Sequence, residues 1–291
     1  MTPVRLGLLA WPVERMAGLS DYAAKLDRLV GEAAGAGAEL LVMPEYACME
    51  LAAAFCAQPD ANGELRALCE RTEPMLEAMR RAAMRHRVWL VPGSLPVRQG
   101  DAVRNRAPLI TPFGTMAFQD KRVMTRFEAE EWGVAPGADP SVFETPWGRI
   151  GIAICYDAEF PALVRAQVLA GAWLVLVPTC TDTMAGFNRV RLAARARAVE
   201  NQCFVAIAPT VGAAPWSATL DANRGYAAVF GPVDRGFPED GILARGALDA
   251  PGWVFADLDP ARLDAVRATG GVLNHRDWPP EPPACPVQSP A

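Results

Sequence analysis

The sequence contains very few of the residues that most often transfer protons in enzymes. Only two histidines, His86 and His275, occur among its 291 residues. An enzyme built on a Ser-His-Asp or Cys-His arrangement would depend on one of them. His86 precedes an apolar segment and His275 lies in a polar stretch, which favours structural or surface roles for both. We therefore expect any nucleophile in this chain to use a base other than histidine.

Cysteine pairs at metal-binding spacing are also missing. The seven cysteines are odd in number, and no two of them form a CxxC pair. This pattern argues against a zinc site and against a disulfide framework. We expect reduced thiols in a reducing compartment, and no metal.

The sequence has no long apolar run and no block of basic residues. No run reaches the roughly 18 apolar residues that a membrane span needs, and the apolar N-terminal segment is too short for a secretory signal. The net charge is −5, whereas nucleic-acid binding requires clustered Lys and Arg. We therefore expect a cytoplasmic protein that binds neither nucleic acid nor a membrane.

Short apolar runs alternate with helical patterns along most of the chain. Their nearly continuous apolar character predicts strands covered on both faces, and their order predicts an α/β fold. No linker rich in Gly and Ser interrupts them, so we expect one domain over 1–278, followed by a proline-rich tail over 279–291. Ser20 is the predicted cap of the first helix. The predicted strands are 4–11, 38–44, 88–96, 107–114, 149–157, 172–179 and 203–210, and the predicted helices are 20–38, 73–87, 160–172 and 187–202.

Three strand ends carry polar residues that can take part in catalysis. Glu45 follows LLVMP, Lys121 follows a short strand, and Cys155 ends the run GIAI. Taken singly, each has a common structural interpretation: a solvated carboxylate, a surface charge and an inert core thiol. Together they supply a base, a positive charge and a nucleophile, and the Tyr156 N–H, opening the next helix, adds a second donor for an oxyanion.

The motifs around these residues resemble the nitrilase superfamily of carbon–nitrogen hydrolases. They read LLVMPEY around Glu45, QDKRVMTRFE around Lys121 and GIAICYDAEFP around Cys155, in the order and spacing of that family. The resemblance covers roughly residues 4 to 278. Its further support comes from GSLP (93–96), RNRAPLITPFG (104–114), ARARAVENQCFVAIA (194–208) and VRATGGVLNHRDW (266–278).

The resemblance implies a fold, a reaction and a mechanism. The fold is a four-layer α-β-β-α sandwich. Cys155 attacks an amide carbonyl, Glu45 transfers the protons, and Lys121 and the Tyr156 N–H hold the oxyanion of a thioester-forming reaction. The products are a carboxylic acid and ammonia or an amine, and no metal or organic cofactor is implied.

A second glutamate often follows the lysine in this family. We favour Glu128, since it directly follows the segment TRF that leads away from the lysine, while Glu130 stays open and Glu131 is interpreted as a surface residue. The sequence CYD followed by FP resembles the amidase-like branches more than the nitrilases. Nitrile hydrolysis by the same residues, and a silent homologue that only binds a ligand, remain the alternatives.

Residues near the nucleophile are expected to line the substrate pocket, and the partner is expected to be a small-molecule amide. Family members that hydrolyse N-carbamoyl amino acids place arginines shortly after the nucleophile. No arginine follows Cys155 before Arg165, so the resemblance disfavours a carbamoyl amino acid as the substrate. Pro209-Thr210 also stands where many relatives have an Asn. The resemblance also implies a homodimer or a higher homo-oligomer. The expected substrate-binding residues are Tyr46, Tyr156, Thr179, Cys180 and Thr181, with Asp182 as a further candidate.

Overall fold

Strands and helices alternate throughout the computed structural model, which describes residues 2–56, 60–279 and 285. The strands β1 to β14 are Val4–Pro12, Leu40–Val42, Trp89–Val91, Leu95–Gln99, Ala102–Ile110, Met116–Asp120, Val142–Thr145, Gly148–Ile152, Leu174–Thr179, Phe204–Ala213, Ala222–Asn223, Ala228–Phe230, Ile242–Arg245 and Gly252–Leu258. The helices α1 to α7 are Leu19–Gly35, Ala61–Cys69, Thr72–His86, Pro161–Leu169, Met184–Asn201, Pro260–Thr269 and Asn274–Asp277.

Strand β1 joins two halves of a continuous, strongly curved sheet. Along most of its length it pairs with β14 in antiparallel orientation, and Leu6 to Leu8 also pair with β2 in parallel. At its end, Trp11 and Pro12 pair instead with Thr210 and Val211 of β10. One half therefore runs from β14 through β1, β2 and β3 to β5, which also pairs with β4 and β6. The other half runs from β13 through β12, β10, β9 and β8 to β7.

The sheet separates two apolar cores, and successive side chains of a strand point alternately into one core and the other. Leu40 and Val42 of β2 join the core that also contains Leu174 and Leu176 of β9, whereas Leu41 packs with the residues of α1 and α3. Neighbouring strand residues point to opposite faces, so both faces of these strands are buried. Helices α1 and α3 cover one half of the sheet, and α4 and α5 cover the other. The predicted four-layer α-β-β-α sandwich is confirmed.

The apolar segment predicted as one strand over 88–96 is two strands, β3 and β4. The chain turns between them at Gly93, whose φ is 90°. A Cβ on Gly93 would lie 1.9 Å from the carbonyl oxygen of Pro44, so only glycine fits this close approach. After the turn, the carbonyl of Ser94 accepts a hydrogen bond of 3.1 Å from the Tyr46 N–H. The turn thereby fixes the backbone next to Glu45.

The predicted cap at Ser20 is wrong. Helix α1 begins at Leu19, its N-cap residue is Gly18, and no side chain caps it there. Asp21 in the first turn instead accepts a hydrogen bond of 3.0 Å from the Ala17 N–H. An acidic residue in the first turn therefore organises this helix start in place of the serine.

The prediction of one domain over 1–278 stays a prediction, and the predicted tail over 279–291 lies outside the described residues except for 279 and 285. Among the described helices, none has the length and apolar character to cross a membrane.

Candidate active site

Three strand ends bring Glu45, Lys121 and Cys155 to one place. Glu45 follows β2, Lys121 follows β6, and Cys155 comes shortly after β8. Glu45 is 2% exposed, Lys121 1% and Cys155 4%, so all three are removed from bulk water. The carboxyl ends of the strands thus converge on a buried cluster of ionisable groups.

The Lys121 ammonium lies between two carboxylates. Its Nζ is 2.8 Å from Glu45 Oε1 and 2.5 Å from Glu128 Oε2. Glu128 is buried in a single turn of π-helix, Phe127–Glu131, whereas Glu130 and Glu131 are exposed and Glu130 pairs with Arg126. Of the three glutamates after the lysine, the structure therefore brings Glu128 to the cluster.

Asn105 connects the two carboxylates, and sequence reasoning missed it. Its Nδ2 is 2.9 Å from Glu45 Oε1 and 3.1 Å from Glu128 Oε1. Glu128 also accepts hydrogen bonds from Tyr46 Oη at 3.1 Å and from the N–H and hydroxyl of Thr125. A fully buried asparagine inside strand β5 was the available signal, because Asn is uncommon in strand interiors.

The nucleophile candidate sits on a strained turn. Cys155 opens a short 3₁₀ segment, Cys155–Glu159, and its φ of 48° is in the left-handed region that few non-glycine residues adopt. Its thiol donates to the carbonyl of Cys180 at an Sγ–O distance of 3.8 Å. The N–H of the same Cys180 donates to Glu45 Oε2 at 3.1 Å. The Cys180 backbone therefore holds both the thiol and the carboxylate.

The electrostatics of the cluster separate the two carboxylates. Burial raises the pKa of Glu45, and Glu128 adds to this, while Lys121 opposes it. Burial also acts on Glu128, but the Lys121 charge and donated hydrogen bonds outweigh it and hold the pKa of Glu128 below its usual range. Burial and the Glu45 charge raise the pKa of Cys155 well above its ordinary value. The cluster therefore combines a neutral thiol with a carboxylate of raised pKa.

Asp157 connects the nucleophile turn to the lysine loop, and sequence reasoning gave it no role. Its carboxylate accepts hydrogen bonds from the N–H groups of Arg122, at 3.0 and 3.2 Å, and Val123, at 2.8 Å. It lies two residues after Cys155, and Arg122 directly follows Lys121. One buried side chain therefore sets the distance between these two segments.

The expected substrate-binding residues surround the cluster in different ways. Tyr46 is buried against Trp132, Tyr156 packs edge-on against Phe160, and Thr179 is fully buried at the end of β9. Cys180 donates through its thiol to Asn223 Oδ1 at 3.7 Å, and Thr181 donates through its hydroxyl to the Arg224 carbonyl at 2.9 Å. Asp182 is exposed. Their contact with a substrate stays a prediction.

The prediction that Tyr156 opens a helix is wrong in one respect. Helix α4 begins at Pro161, and Tyr156 instead follows Cys155 in the 3₁₀ segment. Among the backbone hydrogen bonds of the described residues, none uses the Tyr156 N–H as a donor. The Tyr156 N–H therefore directly follows the nucleophile in the chain, but it is not at the N-terminus of α4 and gains nothing from the dipole of that helix.

Both histidines lie elsewhere. His86 Nε2 is 3.1 Å from Asp27 Oδ1, joining α3 to α1. The carbonyl of His275 accepts a hydrogen bond from Arg165. Neither ring is part of the cluster around Cys155.

The four-layer sandwich with a buried cysteine, lysine and glutamates at its strand ends defines a member of the nitrilase superfamily. The sequence profile of the family described as Carbon-nitrogen hydrolase matches residues 12–267. The chain belongs to this family and is a carbon–nitrogen hydrolase.

Individual relatives agree with this assignment. The chain is similar to the probable hydrolase YhcX of Bacillus subtilis, with 30% identity over 94% of this chain and 53% of that protein, so it spans about half of that relative's length. It is similar to the omega-amidase NIT2 of Danio rerio, with 28% identity over 92% of each. A solved structure of an amidase from Nesterenkonia sp. superposes with a TM-score of 0.71 at 27% identity, covering 95% of this chain and 97% of that chain.

Proposed function

We propose that this chain hydrolyses a linear amide of a small molecule through a Glu-Lys-Cys triad. The observation that carries the proposal is the pair of hydrogen bonds at Cys180, which aligns the Cys155 thiol with the basic Glu45 carboxylate. Burial raises the pKa of Glu45, which makes this carboxylate a stronger acceptor for the thiol proton during attack. Lys121 adds the positive charge that an oxyanion requires.

In the first half of the reaction, Cys155 Sγ forms a bond to the amide carbon. The π electrons of the carbonyl move to its oxygen, and the thiol proton moves to Glu45. Lys121 has three N–H donors and uses two on Glu45 and Glu128, so the third can bind the oxyanion together with the Tyr156 N–H. When the carbonyl re-forms, the carbon–nitrogen bond breaks, and the Glu45 proton leaves with the ammonia or amine.

In the second half, water releases the acyl group. Glu45 accepts a proton as the water oxygen bonds to the thioester carbon, and the same oxyanion donors act again. The carbon–sulfur bond then breaks, and the proton returns to Cys155. Glu128 stays ionised throughout because its pKa is low, and it keeps Lys121 charged and in position.

The relatives support an amide as the substrate in preference to a nitrile. Those from Danio rerio and Nesterenkonia are named amidases. In one solved Nesterenkonia structure, the acetamide moiety of fluoroacetamide is added covalently at the active-site cysteine. The alternative of a silent, ligand-binding homologue has less support, since Glu45, Lys121 and Cys155 all lie in the cluster.

The test is intact-mass spectrometry combined with an ammonia assay. Wild type, Cys155→Ser and Cys203→Ser are incubated with a panel of linear amides and with the matching nitriles; Cys203 is a second buried thiol, remote from the site. We expect ammonia and a transient acyl adduct in wild type and Cys203→Ser, and neither in Cys155→Ser. Turnover by Cys155→Ser at the wild-type rate would reject the proposed nucleophile, and faster turnover of nitriles would reject the amide assignment.

We also propose that the chain forms a homodimer through helices α4 and α5. An outward helix face in a monomer is normally polar, but the exposed faces of both helices are largely apolar. A cavity of about 400 Å³ adjoins α5 and is lined in part by Leu192, Val199 and Val233. The apolar exposed residues are Ala162, Ala166 and Leu169 on α4 and Ala185, Leu192, Ala196 and Val199 on α5.

A further inference from the structure

Helix α2 carries a buried carboxylate that is bound by a single loop. Glu64 is 1% exposed, and it accepts hydrogen bonds from the Ser217 hydroxyl at 2.9 Å and the Ala218 N–H at 2.8 Å. It also accepts from the N–H and the hydroxyl of Thr219, at 3.1 and 2.6 Å. Within the described part of the chain, no lysine or arginine forms an ion pair with it. Four donors of one loop therefore take the place of a cation.

This arrangement exceeds what is needed to attach a helix. Leu65 and Leu68 already bury the apolar side of α2 against the core that contains residues of α1 and α3. A buried carboxylate is costly unless its oxygens are hydrogen-bonded, so Glu64 adds a strict geometric requirement to that packing. The requirement falls on the loop 214–221, which the hydrogen bond from the Ala214 N–H to the Asp221 carbonyl closes at 2.9 Å. Glu64 thus fixes one conformation of this loop.

The loop continues directly to the candidate active site. Asn223 Nδ2 donates to the Leu220 carbonyl at 2.7 Å, and Asn223 Oδ1 accepts from the Cys180 thiol. The backbone of Cys180 binds both Glu45 and Cys155. The path from Glu64 to the reacting thiol therefore runs through the loop, Asn223 and Cys180.

The same helix also contacts the opposite side of the site. Asn62 Nδ2 donates to the carbonyl of Glu131 at 2.8 Å, in the turn that carries Glu128 and leads to Trp132. Trp132 and Trp216 both pack against the core that contains Tyr46. Helix α2 therefore joins the two segments that carry these tryptophans.

We propose that Glu64 is a specificity-determining positioning residue, which holds the loop 214–221 as the wall of the acyl pocket and so limits the size of the acyl group. It touches neither substrate nor reacting atoms and acts through the loop. The proposal rests on the proposed amide hydrolysis, since it assigns the acyl selectivity of that reaction.

Two variants remove the two ends of the contact. Glu64→Gln loses an acceptor oxygen, and Thr219→Val removes a hydroxyl donor without changing shape. The measurement is kcat and KM for linear amides from acetamide to hexanamide. We expect KM for the preferred amide to rise about tenfold, as when a buried hydrogen bond is left unmade, with kcat nearly retained. We also expect selectivity along the series to fall in both variants, and the effects of the two changes to be non-additive.

A matched control separates this role from simple stabilisation of α2. Asp60 caps the same helix through the Gly63 N–H and is exposed, so Asp60→Ala weakens the helix without touching the loop. Its selectivity should match that of wild type. An equal loss of kcat for every amide, or an unchanged selectivity in Glu64→Gln and Thr219→Val, would overturn the proposal. If Glu64→Gln does not fold, Thr219→Val alone decides.

A second readout does not require turnover. The rates at which chloroacetamide and 2-chlorohexanamide alkylate Cys155 are measured by peptide mass spectrometry, and their ratio is compared between wild type and variants. A ratio shifted towards the longer reagent in both variants supports the proposal, and an unchanged ratio rejects it. Absence of wild-type hydrolysis with a shifted ratio would reject the proposed function while leaving the pocket wall intact.

Discussion

At the scale of single residues, Glu45 and Glu128 show how one cluster gives two carboxylates different properties. Both are buried and both contact Lys121, yet their pKa values move in opposite directions. The difference follows from the donors: Thr125 binds Glu128 through two groups, and Lys121 lies closer to it than to Glu45. Glu45 is held less strongly by donors than Glu128, so Glu45 is the better proton acceptor.

This division predicts the effect of Glu45→Gln. The amide cannot accept the thiol proton, so we expect kcat/KM for a linear amide to fall by about 10² to 10⁴, the usual contribution of a general base. Glu130→Gln is the matched control, because Glu130 is exposed and pairs with Arg126 on the surface. Its kcat/KM should equal that of wild type. Retention of activity in Glu45→Gln would remove Glu45 from the role of base.

Asp157 makes a prediction about pH and stability. Burial raises the pKa of its carboxyl from 3.8 to about 6, against the opposing effect of the Arg122 and Val123 amides. Between these values the folded protein binds a proton that the unfolded chain does not. This carboxyl therefore lowers the free energy of unfolding as the pH rises through that window, by about 3 kcal/mol in all.

The measurement is urea unfolding of wild type and Asp157→Asn from about pH 4 to about pH 7. The stability of wild type relative to the variant should fall as the pH rises, since the asparagine does not titrate. Asp139→Asn is the control: Asp139 is exposed and pairs with Arg122, so its difference from wild type should stay constant. A constant difference for Asp157→Asn would contradict the prediction.

The site residues that could be predicted are those marked by a local sequence pattern. Glu45, Lys121 and Cys155 each end an apolar run, and Glu128 follows the lysine at short range. Asn105 lies 60 residues from Glu45 in sequence and meets it because β5 pairs with β3, and β3 pairs with β2. Contacts of this kind depend on strand order, which no local pattern contains.

At the scale of elements, the strands with uninterrupted apolar runs were predictable, and the half-buried strands were not. Strands β1, β2, β9 and β10 follow from uninterrupted apolar runs, whereas β14 has several half-buried residues and is held by antiparallel pairing with β1, nearly 250 residues away in sequence. The loop 214–221 likewise depends on Glu64 of α2, which is about 150 residues away in sequence. Long-range hydrogen bonds decide such elements.

The segment after Glu45 depends on a buried ion pair. It forms a 3₁₀ helix, Ala47–Ala54, in which Glu50 is fully buried and 3.0 Å from Lys25 of α1. Lys25 also donates to the Pro12 carbonyl and lies over the ring of Trp11. The pair therefore ties the Glu45 segment to both α1 and β1.

We expect Lys25→Met to destabilise the protein by about 3–5 kcal/mol, because it leaves the Glu50 charge buried without its partner. The double change Lys25→Met/Glu50→Met should cost less than the single one, since no charge remains. Arg28→Ala removes an exposed pair with Glu32 on the same helix and should cost at most about 1 kcal/mol. Urea unfolding measures all three. An equal loss of unfolding free energy in Lys25→Met and Arg28→Ala would show that the buried pair contributes no more to stability than the exposed one.

At the scale of the whole molecule, the outward faces of α4 and α5 carry a patch of exposed apolar side chains. Helix α5 is apolar on its buried side through Phe187, Val190 and Ala194, and its outward face carries Leu192 and Val199 beside the exposed Arg189. An exposed apolar patch bordered by a polar residue is typical of a contact with another protein chain. In the proposed dimer, the second chain provides the missing cover, and the layer containing the Cys155 turn lies next to the interface.

A charged residue in the centre of this face should therefore separate the chains. We expect wild type to scatter light as twice 31.2 kDa and Leu192→Glu as a single chain, because an unpaired buried carboxylate is costly at an interface. Phe113→Glu is the control, since Phe113 is 87% exposed in the turn between β5 and β6, away from α5. It should leave the mass doubled. A wild-type mass of one chain would reject the dimer, and a doubled mass for Leu192→Glu would move the interface to another face.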